Sequence, residues 1–386
     1  MSLVLESGYV SLNKHGEELC GDKVESIRRK NMNTLVLADG LGSGVKANIL
    51  STLTSKILCT MIANDISLEE CIETIISSLP VCKVRGVAYS TFSIIHIDNE
   101  GKGYLIEFDN PMAILVHEGK AGDLAREKLS ISGKTVFKSE LNLTAGDIIV
   151  VMSDGVVHAG VGMLLNFGWQ REDIIKFINE RYRPSMSARC LAGLIGSACK
   201  DLYLDEPGDD TTIAAVRVRE QKKVSLLIGP PVDKSQDDYA VCTFLGNEGK
   251  KVVCGGTSSQ IVARYLNTDV SVDLDYTDKD IPPTAHIKGI DLVTEGVITL
   301  RRLIELAQKY LSPNDVSPKY FDKKDGASQL ANVLFEECTD IKFYVGRSVN
   351  IAHQGLPIDT TMKLKIVENL SKMLREMGKN VEIYYF

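Results

Sequence analysis

The chain has 386 residues, enough for about two domains at roughly 100–200 residues each, and its 44% hydrophobic and 25% charged content is that of a folded globular protein, which excludes global disorder. Lys and Arg number 44 against 51 Asp and Glu, a formal net charge of −7, and no basic run marks a footprint for nucleic acid or a membrane surface; the expected partner is a protein or small molecule. The nine cysteines include no C-x-x-C pair and read as reduced thiols, and with no secretory signal and no apolar run of the roughly 18 residues that span a bilayer, the expected location is the cytoplasm.

From Asn33 to Val218, short apolar or alternating runs read as six strands: NTLVLA, STFSIIHI, GYLIEF, AILVH, DIIVVM and TTIAAVRV. Helical patterns lie at Lys46–Ala63, Ser67–Leu79, Arg171–Tyr182 and Ser187–Leu202, the second opened by the capping-box spacing of Ser67 and Glu70. The middle strands are separated only by turns such as DNEGKG and FDNP. That favours an α+β domain of antiparallel sheets packed with helices over a βαβ repeat.

The pattern changes near residue 221, which divides the chain into a domain of residues 1–221 and another of residues 222–386. Beyond REQKK, strands and helices alternate: VSLLIG, a helix over Asp237–Leu245, KVVCGG, a helix over Ser258–Leu266, a longer one over Ile298–Leu311, then IKFYVG, a helix over Met362–Met377 and the strand VEIYYF. Alternation at this spacing predicts a three-layer α/β domain.

Chemistry concentrates in the first domain. Two apolar strands end alike, LVLADGLG with Asp39-Gly40 and IIVVMSDGV with Asp154-Gly155, while GDDTTIAAV places Asp209 and Asp210 just before a strand. In antiparallel sheets the start of one strand lies beside the end of its neighbour, so these carboxylates have a route to one rim. Unit charges about 4 Å apart repel by roughly 4 kcal/mol at an effective dielectric near 20, so a cluster of this kind needs a cation among its members. With oxygen ligands and no His or Cys at ligand spacing, the expected cation is hard, Mg²⁺ or Mn²⁺ rather than Zn²⁺. Taken singly, D-G is also a common turn dipeptide and D-D a common cap.

Together, GDKV around Asp22, ADGLGSG around Asp39, STFSIIHID, AGDIIVVMSDGV and GDDTTIAAV follow the order seen in metal-dependent type 2C (PP2C) serine/threonine phosphatases. Over about residues 5–219 the chain most resembles the catalytic domain of stage II sporulation protein E. The resemblance implies two antiparallel sheets flanked by helices, an α-β-β-α sandwich. It also implies a phosphatase of phosphoserine or phosphothreonine proteins that uses water activated by two divalent cations, Mn²⁺ or Mg²⁺, with no phosphoenzyme.

Carried across motif by motif, Asp39 resembles the carboxylate bridging the two ions, and the Gly40 carbonyl a further ligand of one of them. Asp22 resembles the acidic ligand reaching that same ion, and Asp154 and Asp209 the partners of the other. Asp210, where the family often has Asn, resembles a residue behind the ligands, with a solvated cap as the alternative. Asp39 and Asp154 are the expected catalytic pair. Many eukaryotic members have His after the D-G dipeptide and an upstream Arg for phosphate; this chain has Leu41 and no alignable Arg, as in the sporulation phosphatase. His158, four residues after Asp154, stands as a candidate general acid or as a structural residue.

Sporulation-type relatives act on small anti-sigma antagonist proteins, so the resemblance implies a phosphoprotein substrate of that kind, in bacterial regulatory signalling. It also implies that the helix after Gly44 works as a switch; a core helix would show the same apolar spacing. The alternative from another class is a non-catalytic phosphatase-fold binding module or sensor whose C-terminal domain takes a small ligand or partner.

No family suggests itself for the C-terminal domain, whose expected role is regulatory or ligand-binding. In KVVCGGTSSQIVARYL a strand leads through Gly255-Gly256-Thr257-Ser258-Ser259 into a helix, which reads either as an anion site at a helix N-terminus or as an ordinary capped turn. The loops after Ile228, with Gly229-Pro230-Pro231, and around His353 in GRSVNIAHQGLP read either as converging with it at the carboxyl edge of a parallel sheet or as surface connections.

Overall fold

A computed structural model describes residues 3–29, 31–78, 90–273, 281–316, 323–348 and 360–386. The chain divides into two compact units, Met1–Glu220 with Pro313–Ser317, and Gln221–Ser312 with Pro318–Phe386.

The first unit contains β1 (Leu3–Leu12), β2 (Asp22–Arg28), β3 (Met32–Gly40), α1 (Gly44–Ala63), α2 (Leu68–Ser78), β4 (Ser90–Asp98), β5 (Lys102–Phe108), β6 (Ile114–His117), β7 (Lys120–Gly122) and β8 (Glu127–Ile131). It continues with β9 (Lys134–Asn142), β10 (Ile148–Met152), α3 (Asp154–Val157), α4 (Arg171–Arg181), α5 (Ala188–Leu202) and β11 (Thr211–Glu220). Among the described residues the strands form two sheets, ordered β1-β11-β10-β6-β7 and β2-β3-β4-β5-β9-β8, with antiparallel pairings throughout.

Side-chain alternation shows how these sheets stack. Along β3, Leu35 and Leu37 join Ile149 and Val151 of β10 and Ala214 and Val216 of β11 in a core between the sheets. The intervening Val36 and Ala38 face away, onto Leu58 and Ile62 of α1 and Ile72 of α2. On the other side Ile148, Val150 and Met152 meet Ile174 of α4 and Leu191 and Ile195 of α5. The unit is therefore an α-β-β-α sandwich, each sheet buried on both faces as its near-continuous apolar runs require.

Among the described residues nine strands, β3 to β11, stand where six were read between Asn33 and Val218, and β1 and β2 precede them; most of the added ones share a cause. In β1 the alternation is broken by Glu6, which is buried in an ion pair with Arg219. β2 (DKVESIR), β8 (EKLSI) and β9 (KTVFKSELN) interleave charges with few apolar residues, so their periodicity is weak. The Ser67 cap is present, its Oγ accepting the Glu70 N–H at 3.2 Å; Leu79, where that helix was expected to end, lies outside the described residues.

The second unit holds β12 (Lys223–Ile228), α6 (Asp237–Leu245), β13 (Lys250–Cys254), α7 (Gly256–Tyr265), β14 (Ser271–Val272), β15 (Ala285–His286) and β16 (Leu292–Thr294). Then come α8 (Val297–Leu311), α9 (Gly326–Ala331), a π-helical stretch Asn332–Glu337, β17 (Asp340–Val345), α10 (Thr360–Glu376) and β18 (Asn380–Tyr385). In the sheet β14-β15-β16-β13-β12-β17-β18, the five strands from β16 to β18 run parallel and β14 and β15 antiparallel at one edge. Val241 and Phe244 of α6 and Val262 of α7 cover one face with Leu227 and Val253. Leu300 of α8, Leu330 of α9 and Leu370 of α10 cover the other with Leu226 and Val252. This is a doubly wound, three-layer unit whose chain order reverses between β12 and β17.

Here β16 was missed because three residues carry no period. α7 begins two residues before the expected Ser258, since Gly255 at φ 115° turns the chain directly into the helix. The eight cysteines among the described residues are free, and no described helix is long and apolar enough to cross a membrane.

Candidate active site

The period of two that builds the inter-sheet core also delivers the carboxylates. Asp22 and Asp39 are register partners across β2 and β3, and each shares strand parity with its inward residues, Val24 and Leu37. From the opposite sheet, Ser153 follows Ile149 and Val151 in phase, and Asp210 and Thr212 precede Ala214 and Val216. Four chain segments thus reach one end of the sandwich interior.

Ser153 ties the two sheets together there. Its Oγ donates to Asp22 Oδ2 at 2.7 Å and accepts the Thr212 N–H at 2.9 Å. Asp22 is only 3% exposed, and its other oxygen, Oδ1, has no hydrogen-bond partner. Asp210 is similar: 4% exposed, Oδ1 accepting the Lys14 N–H at 3.0 Å, and Oδ2 buried without a partner. A solvated-cap role for Asp210 is therefore excluded. Asp39, Asp154 and Asp209 are half-buried, nearer the surface.

Glycines permit this closeness. A Cβ on Gly21 would stand 2.7 Å from Asp210 Oδ2. One on Gly155 would collide with the Asp210 carbonyl, and one on Gly40 with the Ala47 carbonyl of α1. Asp154 and Asp39 are each followed by glycine because backbone from another element occupies the place of the next side chain.

The electrostatics show how near the charges lie. Burial, then the negative charges of Asp22, Asp154 and Asp209, push the Asp39 carboxyl far above the usual carboxylate range. Asp22 is also raised, by burial first and further by Asp210 and Asp154, against the opposing hydrogen bond from Ser153. Asp154 is raised by burial first and further by the negative charge of Asp209, against the opposing influence of His158. Two orphaned buried carboxylate oxygens among mutually repelling aspartates are what an oxygen-ligated hard cation would relieve, so the donor set fits Mg²⁺ or Mn²⁺. Among the described residues, no three His, Cys, Asp or Glu side chains already stand in ligand geometry about one point.

His158 sits at the surface with Nε2 4.0 Å from Asp154 Oδ2. Ser153 and Thr212 were not singled out from the sequence; their signal is a hydroxyl in phase with an apolar strand face, immediately beside each acidic motif.

Residues 31–219 match the family model of stage II sporulation protein E, SpoIIE. The first unit carries a SpoIIE-family domain. The match contains Asp39, Gly40, Asp154, Asp209 and Asp210; Asp22 precedes it, on the strand that pairs with β3 of the SpoIIE domain. No curated protein matches the chain. Among solved structures, the PP2C phosphatase domain with a fragment of the regulatory domain of SpoIIE from Bacillus subtilis is similar at 20% identity, covering 56% of this chain and 64% of that one, with a TM-score of 0.48. The RsbU and RsbW domains of Rv1364c from Mycobacterium tuberculosis align at 19% identity over 56% of this chain and 60% of theirs, TM-score 0.45. RsbX in complex with magnesium aligns at 20% over 55% and 95%, TM-score 0.41. The chain spans less than two thirds of the first two of these structures.

Proposed function

We propose that the SpoIIE domain is a divalent-cation-dependent phosphatase of phosphoserine or phosphothreonine in a bacterial regulatory protein. The observation that carries this reading is the meeting of Asp22, Asp39, Asp154, Asp209 and Asp210 at one rim, with two buried carboxylate oxygens left without partners. In this reading Asp39 would contribute to holding both cations, Asp22 and the Gly40 carbonyl would help to hold one, and Asp154 and Asp209 the other. Asp210 stands behind these ligands, fixed by the Lys14 N–H.

Bound Mn²⁺ or Mg²⁺ would supply a water acidified toward neutral pH and positive charge for the phosphoryl oxygens. The chain's own contribution is positioning. Ser153 fixes one oxygen of Asp22 and leaves the other free to bind, while its second hydrogen bond holds β11 and so the Asp209-Asp210 pair in place. Gly40 lets α1 press on the strand that carries Asp39. Asp154, the first residue of the single helical turn α3, is held by Gly155 against the Asp210 backbone. His158, 4.0 Å from Asp154 and open to solvent, is a candidate to protonate a leaving alkoxide. The substrate that fits is a phosphoprotein, a small anti-sigma antagonist-like protein in the first instance, acting in the cytoplasm.

The test is Mn²⁺-dependent hydrolysis of an aryl phosphate and of a phosphoserine peptide by the full chain, beside Asp39→Ala. Hydrolysis that requires the cation and is lost in Asp39→Ala is expected. Hydrolysis that survives the substitution would overturn the assignment of Asp39, and cation binding without hydrolysis of either compound would favour a binding module.

A further inference from the structure

The carboxyl edge of the second unit gathers groups that its fold leaves unused. Ile228 of β12 is in register with Cys254 of β13 and Val345 of β17, and Cys254 with Thr294 of β16. The next residues, Gly229, Gly255 and Gly346, therefore form a row of three glycines along neighbouring strands, at the place where the strand order reverses. Gly229 and Gly255 have φ of 73° and 115°, so the backbone here adopts turns that favour glycine. Open α/β sheets take their ligands at this position.

Three further observations bear on the ligand. The N-terminus of α7 has no side-chain cap, and Gly256 and Thr257 at its start are exposed. Two other helices of this unit supply their own carboxylate: Glu295 Oε2 accepts the Ile298 N–H at 3.0 Å in α8, and Asp325 Oδ1 accepts the Ala327 and Ser328 N–H groups in α9. Ser258, in the first turn of α7, is 1% exposed, yet its Oγ has no hydrogen-bond partner and stands 3.8 Å from where a Gly255 Cβ would be. A buried hydroxyl left unpaired costs stability, so its retention points to something that completes it.

The third is Lys363, on the first turn of α10. Its Nζ reaches across the edge to lie 2.6 Å from where a Gly229 Cβ would be and donates to the Ser348 carbonyl at 3.1 Å. Among the described residues no carboxylate pairs with it. Burial alone pushes its pKa down to about 8. Neighbouring strands are about 4.8 Å apart, so the ammonium stands over the strand next to the one that feeds α7.

We infer that this edge is a binding site for the phosphate group of a small molecule, received by the open N-terminus of α7 and the Ser258 hydroxyl, with Lys363 supplying the counter-charge. Backbone N–H groups, a hydroxyl and an ammonium are the donors that recognise a phosphate dianion. Gly255 and Gly256, where no atom lies closer than 3.8 Å to the place of a Cβ, let that group approach the main chain, while Gly229 makes room for Lys363 Nζ. No residue of the aspartate rim takes part, so the inference stands or falls separately from the phosphatase reading.

The experiment is calorimetric titration of the full chain with inorganic phosphate and with a nucleoside monophosphate, in EDTA and in an Asp39→Ala background, so that the aspartate rim holds no cation. Saturable binding is expected, weakened about tenfold or more by Ser258→Ala and by Lys363→Met and largely kept by Lys363→Arg, as for loss of one charge-assisted hydrogen bond. Tighter binding of the monophosphate identifies a phosphomonoester ligand, tighter binding of phosphate the free ion; either supports the site. In phosphate-free buffer Lys363→Met should melt at a higher temperature than the parent, whereas a lysine kept for structure would melt lower on removal. Absence of saturable binding, binding untouched by both Ser258→Ala and Lys363→Met, or a lower melting temperature for Lys363→Met would overturn the inference.

Discussion

Asp22 and Asp39 face each other as register partners across β2 and β3, and Asp22 is held from the opposite sheet by Ser153. Like charges directly opposite on one strand pair destabilise it, and here Asp22 is also buried and Asp39 half-buried. The first unit therefore carries a local conflict at its rim.

Relieving that conflict should separate stability from activity. Asp39→Asn keeps the shape and removes one charge. In the cation-free chain it should raise stability by about 1–2 kcal/mol, while lowering Mn²⁺-dependent hydrolysis by about a hundredfold or more. Urea unfolding in EDTA and a phosphatase assay check the two halves.

Cation addition should have a pH-dependent effect of defined sign. Asp22 and Asp39 titrate above the ordinary carboxylate range when folded, so the folded cation-free chain holds more protons than the unfolded one there, and its stability falls as pH rises through that window. Mn²⁺ competes with those protons, and its stabilisation should grow with pH, reaching about 2.7 kcal/mol at a hundredfold excess over Kd for a single site. Melting curves with and without Mn²⁺ at several pH values measure it.

Ser153→Ala should cost about 2 kcal/mol or more, because it strands both the buried Thr212 N–H and the second oxygen of Asp22. It should also weaken Mn²⁺ binding without removing a ligand. Ser153→Thr, which keeps the hydroxyl, should recover part of both losses. Denaturant titration and Mn²⁺ isotherms on the two variants decide this.

Gly40→Ala is expected to destabilise by about 2–3 kcal/mol, since its methyl would enter the Ala47 carbonyl of α1. Gly42→Ala is a useful contrast: its φ of 100° brings backbone strain, but no atom lies within 4 Å of the added Cβ. Activity at saturating Mn²⁺ should fall further in Gly40→Ala, where the strand bearing Asp39 must move.

Lys363 gives a second pH dependence, opposite in sign. Its folded pKa near 8 lies below the ordinary 10.5, so the unfolded chain binds more protons between those values and stability rises with pH across that window. Lys363→Met should therefore stabilise the ligand-free chain at pH 7 by about 1 kcal/mol, discounted for the part of the side chain that meets water, and the gain should shrink toward pH 10.5. Thermal melts of both proteins across that range test it.

What was legible in the sequence follows from where each signal is stored. Asp39 and Asp154 announce themselves because an apolar strand stops at a D-G step, and the acidic motifs retain their order along the chain. Asp210 could not be placed as buried or solvated, because burial there depends on Gly21, just ahead of β2 and far away in sequence. Ser153 was invisible for a similar reason: a serine between Met152 and Asp154 gains meaning only when Asp22, 131 residues away, arrives opposite it. Strand β1 was hidden by Glu6, an apparent solvent residue whose partner Arg219 lies at the far end of the domain. In the second unit the parallel core strands were readable from their apolar runs, whereas β16 has too few residues to show any pattern.

The hydrogen bond from Ser153 to Asp22 bridges sheets built from distant parts of the chain. During synthesis, the first two acidic motifs leave the ribosome long before the last. A nascent polypeptide that stops short of Thr212 carries the aspartates but lacks β11 and the N–H that Ser153 accepts, so the rim is assembled only once both sheets have docked.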